Sequence, residues 1–100
     1  MKPFNTLGSQ PEHSPLYGGG SGASAEDAVI IKISDRLLGV VAEYAFVAKQ
    51  CGRKGEDWNT QAQALIQDAA GRSYDVLTVI LKDGTPRAFY FDISAFYGKR

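Results

Sequence analysis

"YDVLTVILKDGTPRAFYFDIS", residues 74–94, decides the fold. Two runs rich in Val, Ile, Phe and Tyr flank Lys82-Asp83-Gly84, the composition of two strands joined by a tight connection. A type I turn with Gly84 in the left-handed conformation is a common hairpin of this kind. In that register Leu77, Val79 and Leu81 share a face with Phe89, Phe91 and Ile93, while Val76, Thr78, Ile80, Ala88 and Tyr90 occupy the other. Both faces are largely apolar, so both call for a cover. Pro86 has no backbone donor and belongs at a strand start or an edge.

Working outward from the hairpin, "DWNTQAQALIQDAAGR" (57–72) carries two patterns. Trp58, Ala62, Leu65, Ile66 and Ala69 match a helical stripe, but Ala62, Ala64 and Ile66 also alternate with Gln61, Gln63, Leu65 and Gln67. The alternation, with "DAAGR" as a turn, predicts a strand that completes a three-stranded meander. "SDRLLGVVAEYAFVAKQCG" (34–52) is the helix: Val41, Tyr44, Ala45 and Ala48 fall on one face, and Gly52 supplies the stop. Ser34 is a possible cap, but Gly39 disfavours the first turns and pushes the start toward Val40. Val29-Ile30-Ile31-Lys32-Ile33 reads as a short strand, and Ser24 with Asp27 resembles a capping pair over one turn. At the far end Ser94 is suited to cap a last short turn that Gly98 terminates.

The expected architecture is a small α+β fold. An antiparallel sheet is built on residues 60–67, 72–82 and 86–93, one main helix near 38–51 packs on one face, and the N-terminal strand 29–33 joins an edge. Residues 1–24 are rich in Gly, Pro and Ser and read as a flexible tail, with Phe4, Leu7, Leu16 and Tyr17 as scattered apolar points; residues 25–100 form the domain.

The chain has 100 residues, 44% of them apolar, enough for one small domain with a thin core. Eleven basic side chains balance eleven acidic ones, so no basic excess points to a polyanion. "RAFYFDI" (87–93) is similar in Arg87, Phe89 and Phe91 to the aromatic strand of RNA-recognition motifs, but Tyr90 stands where a small residue belongs and Asp92 puts a negative charge on the platform. Nucleic acid is therefore not an expected partner. No apolar h-region or membrane-length apolar run is present, which gives a cytoplasmic expectation with no membrane partner.

The chemistry-bearing residues are sparse. "YGGGSGA" (17–23) lacks both the preceding strand and the Lys-Ser/Thr pair of a phosphate loop, so it reads as a flexible lead-in. His13 lies in the tail, and Cys51 has no second ordered Cys or His beside it, so no metal site, cofactor or catalytic residue is expected. Asp75 and Asp92 flank the open end of the hairpin and are the pair that acid–base chemistry would use, but the Lys-Asp-Gly turn does not put them face to face; the favoured reading is Asp92 capping the last turn and Asp75 pairing with Arg72 or staying wet.

Several stretches resemble a group of short bacterial proteins of unassigned function often carried by mobile integron gene cassettes: "YGGGSGASAEDAVI" (17–30), Ala42-Glu43-Tyr44, "GEDW" (55–58), "GRSYDVLTV" (71–79) and "YFDISAFYGK" (90–99). The resemblance implies an accessory bacterial protein and carries over no site residues.

Three functions follow from this reading. The first is a non-enzymatic, self-associating interaction protein, a homo-oligomer using Val76, Ile80, Phe96 and Tyr97. The second is a small-molecule or peptide binder with an aromatic pocket between sheet and helix formed by Tyr44, Trp58, Tyr74 and Tyr90. The third is a hydrolase-type enzyme using Asp75 and Asp92.

Overall fold

The computed structural model describes residues 15–97. Among these, five strands form one mixed sheet in the order β1-β2-β5-β4-β3. The strands are β1 (Tyr17–Gly19), β2 (Val29–Ile31), β3 (Trp58–Gln67), β4 (Ser73–Leu81) and β5 (Pro86–Asp92), and helix α1 (Arg36–Cys51) lies between β2 and β3 in the chain. The α+β class holds. The described residues include no helix long and apolar enough to cross a membrane.

The meander forms with the expected faces. Leu77 pairs with Phe89 and Asp75 with Phe91 on one side, Val76 with Tyr90 and Thr78 with Ala88 on the other. Gly84 takes φ 91°, and the Asp83 carboxylate accepts a hydrogen bond from the Thr85 amide at 2.9 Å, which fixes the turn. The ambiguous stretch 58–67 is a strand, antiparallel to β4, with a bulge between Thr60 and Ala62 that resets its alternation. Beyond it, Asp68 closes the turn by accepting from the amides of Ala70 and Arg72 at 3.0 and 2.9 Å.

The N-terminal part differs from expectation. β2 does not lie at an edge: it is parallel to β5, through Val29↔Phe91 and Ile30↔Asp92, and β1 covers its other side. The helix and hairpin that separate β2 from β5 supply the long crossover a parallel pair needs. Tyr17–Gly19, within the stretch read as a tail, is an edge strand, and the rest of the glycine run makes a tight turn rather than a flexible lead-in. Tertiary partners provide what the local composition lacks. The Tyr17 ring lies 5.5 Å from that of Phe46, and its hydroxyl donates to the Ala42 carbonyl at 2.7 Å. At Gly20 an added Cβ would meet the Asp27 carboxyl group, so only glycine lets the chain pass there. His13, Phe4 and Leu7 lie outside the described residues, as does Gly98.

The helix starts earlier than expected and is rotated. Asp35, not Ser34, is the cap, its side chain accepting from the Leu38 amide at 2.9 Å, and Gly39 sits inside the helix. Gly39 is tolerated because Phe96 packs directly onto it: a Cβ there would come within 2.5 Å of the ring. The buried stripe is Gly39, Ala42, Glu43 and Val47, whereas Val41, on the expected face, is 56% exposed. The helix covers the Leu77, Val79, Phe89 and Phe91 side of the sheet, where Phe46 meets Phe89 and Phe91 edge-on at 6.2 and 5.8 Å. As expected, α1 ends at Gly52, whose carbonyl accepts from the buried Trp58 indole at 2.8 Å.

Candidate functional site

The site follows from the strand alternation and the helix stripe. Asp75 occupies a core-face position of β4, in phase with Leu77 and Val79, and is buried. Glu43 occupies the buried stripe of α1, one turn before Val47, and is 1% exposed. Both backbones thus aim a carboxyl group into the space between sheet and helix. Gln63 of β3 holds Asp75 from the side, its amide Nε2 donating to both carboxylate oxygens at 3.0 and 2.9 Å.

Neither Glu43 oxygen has a hydrogen-bond donor. The polar group against it is another carboxyl, that of Asp75. Burial, and then the neighbouring Asp75, push the Glu43 carboxyl up to about 10, so it keeps its proton at neutral pH. A protonated Glu43 resolves the contact, because its O–H donates to Asp75 where two carboxylates would repel. Its second oxygen still lacks a donor, and burying such an acceptor without a partner is costly.

The pair borders a cavity of about 290 Å³ whose wall is completed by Arg36, Leu65, Phe96 and Tyr97. Arg36, the first residue of α1, forms no ion pair with another described residue. Among the described residues no three or more His, Cys, Asp or Glu side chains converge, so the pair falls short of an ordinary metal-ligand set.

The residues singled out from sequence are distributed differently. Tyr44 and Trp58 are neighbours on the helix side, ring centroids 6.3 Å apart, whereas Tyr74 and Tyr90 project from the opposite face. Strand alternation separates them, so the four do not line one pocket. Val76 and Ile80 are half-buried on that opposite face; Phe96 is buried against Gly39, and Tyr97 borders the carboxyl cavity. Asp75 and Asp92 also point to opposite faces, being adjacent to one another only diagonally in the β4–β5 ladder, and cannot act as a pair. Asp92 accepts from the Ser94 amide at 3.0 Å, the capping role expected of it, and Arg72 pairs with Asp68 rather than Asp75.

Glu43 is the residue that sequence reading missed. Its signal was a phase match: Asp75 alternates with core residues of β4, and Glu43 shares a stripe with Ala42, Phe46 and Val47. Two charges in phase with two cores can meet across them. Glu43 of the helix, Asp75 of β4 and Phe96 and Tyr97 of the C-terminal turn come together at this cavity. No family model matches the chain, and no curated protein or solved structure matches it either.

Proposed function

We propose that this chain is a small-molecule binding protein whose recognition element is the Glu43–Asp75 pair. The observation that carries this reading is a side chain 1% exposed, on a cavity wall, with both of its oxygens lacking a donor. Replacing such a group by an apolar one is often neutral or stabilising, so its presence favours a role in binding. The cavity is at the small end of the range for ligand sites. Catalysis is favoured less, because a carboxyl raised to about 10 is far from the value near 7 that suits proton transfer at neutral pH. The reading accords with an accessory bacterial protein of the kind the resemblance implies. Its test is a fragment screen by amide chemical-shift mapping. The expected result is shifts confined to residues 36–43, 63–65 and 93–97; a screen whose hits all map elsewhere, or that yields none, overturns it.

A second observation favours self-association. β3 is ten residues long, ends the sheet, carries no charged residue, and is exposed from Asn59 to Gln67, with Leu65 and Ile66 at 49% and 41%. Edge strands are ordinarily protected by charge, proline or brevity. The other edge, β1, has only three residues, so one open edge remains and pairing of β3 with β3 of a second copy gives a closed dimer rather than a filament. A net charge of zero opposes nothing. Light scattering should give twice the chain mass, falling to one chain in Ala64→Lys/Ile66→Lys with the circular dichroism unchanged. A monomer for the native chain overturns this second reading.

A further inference from the structure

A buried carboxyl group without a donor and a guanidinium without an ion pair to a described residue border one cavity. Glu43 lies deep, its oxygens orphaned beside Asp75, and Arg36 lies at the exposed start of the same helix with no ion pair to a described residue. They do not pair with each other. Seven residues separate them along α1, roughly 10 Å of helix axis. Between them the wall is apolar, with Val40, Leu65, Ile93 and Phe96.

We propose that the cavity takes a small zwitterion of the ω-amino acid type, with its ammonium group on Glu43 and Asp75, its carboxylate on Arg36 and its hydrocarbon body against Phe96. This rests on the binding reading above and names its ligand class. An ammonium group carries three N–H donors and no acceptor, the complement of the Glu43 oxygens, which lack donors, and of the neighbouring Asp75 carboxylate, which is held from one side by the Gln63 amide. A guanidinium forms a planar fork that matches a carboxylate. A plain alkylammonium would satisfy the acid pair but meet the unpaired positive charge of Arg36, and a plain fatty acid would face two carboxyl groups. A compound carrying both charges, separated by several carbons, satisfies both ends.

Binding has a defined proton balance. The ammonium enters with its proton, the Glu43 O–H gives up its own, and that proton goes to the buffer. The other charged and polar groups bordering the cavity are Asp75 and Gln63 from the sheet, Arg36 from the helix and Tyr97 from the C-terminal turn. Asp75 favours retention of the Glu43 proton, so the ligand must displace it, and affinity rises with pH across the neutral range.

The test uses the full chain and four six-carbon probes: ε-aminocaproate, hexylamine, caproate and hexanol. Amide shifts and calorimetry should show ε-aminocaproate binding at least about tenfold tighter than each of the other three. Calorimetry in two buffers of different ionisation heat should show roughly one proton released per ligand at neutral pH. Arg36→Gln, an exposed substitution, should bring ε-aminocaproate down to hexylamine. Glu43→Gln should bring it down to caproate and abolish the proton release. Equal binding of hexanol, or binding of the zwitterion without proton release, overturns the ligand class. If hexanol alone moves the cavity amides, the class falls and the binding site stands; if no probe moves them and the fragment screen is empty, both fall.

Discussion

Asp68 and Glu43 are both carboxyl groups beside the β3–β4 pair, and their surroundings could hardly differ more. Asp68 accepts from the amides of Ala70 and Arg72, from the Arg72 side chain at 3.3 Å and from the Tyr74 hydroxyl at 3.0 Å. These bonds, the Arg72 amide foremost, hold its carboxyl below the ordinary carboxylate range. Glu43 accepts none, and burial holds it far above. The difference teaches which charge serves the fold. Asp68 closes a turn and aligns a tyrosine, whereas the buried Glu43 oxygens accept nothing from their surroundings. A buried group left in that state is where a ligand is to be sought.

The comparison can be broken most directly by Glu43→Gln. Because the Glu43 carboxyl is raised in the folded state, its contribution is intact below its unfolded value near 4.5 and is lost as pH rises toward about 10. At pH 7 the variant should be more stable than the native chain by on the order of 3 kcal/mol, and the gap should close by pH 4. Urea unfolding at the two pH values measures it; a destabilised variant at pH 7 would remove the contrast with Asp68.

Gly39→Ala comes next. The helix gains about 1 kcal/mol of propensity, but the new Cβ meets the Phe96 ring, and overpacking of this sort costs roughly 1–3 kcal/mol. A net loss of stability, together with shifted Tyr97 resonances, would show that Phe96 is seated on the helix as a fixed wall of the cavity. A gain would mean the ring moves freely.

The pH profile sharpens the comparison further. Asp27, Asp68 and Asp83 are all lowered by hydrogen bonds, so their contributions are present at neutral pH and fade as pH falls below about 3.8. Glu43 acts in the opposite sense, so thermal stability should peak between about pH 4 and 5. Asp68→Asn should flatten the acid limb and Glu43→Gln the alkaline one. A peak at pH 8 would contradict the assignment. The smallest effect is expected from Leu37→Ser: at 74% exposure on the outer side of the helix it should change stability by less than about 0.5 kcal/mol, confirming which stripe faces in.

Much of the architecture was legible. The hairpin register could be read because Val, Ile and Phe alternate on both sides of a turn that glycine fixes, and the helix end because Gly52 follows the last apolar residues. The helix face was not, because the buried stripe contains a glycine and a glutamate, which any count of apolar residues rejects. Nor was β1, because Tyr17-Gly18-Gly19 has no strand preference of its own and depends on the ladder to β2 and the contact with Phe46.

The sequence by itself determined local choices: which segments extend, where they turn, and which residues alternate toward a common core. Short-range sterics and periodicity suffice for these. Only the tertiary structure decided that β2 runs parallel to β5, that Gly39 exists to seat Phe96, and that Glu43 faces Asp75. Each of those depends on what residues distant in the chain place opposite, and a buried carboxyl is tolerated or refused by its neighbours across the core, not by its neighbours in sequence.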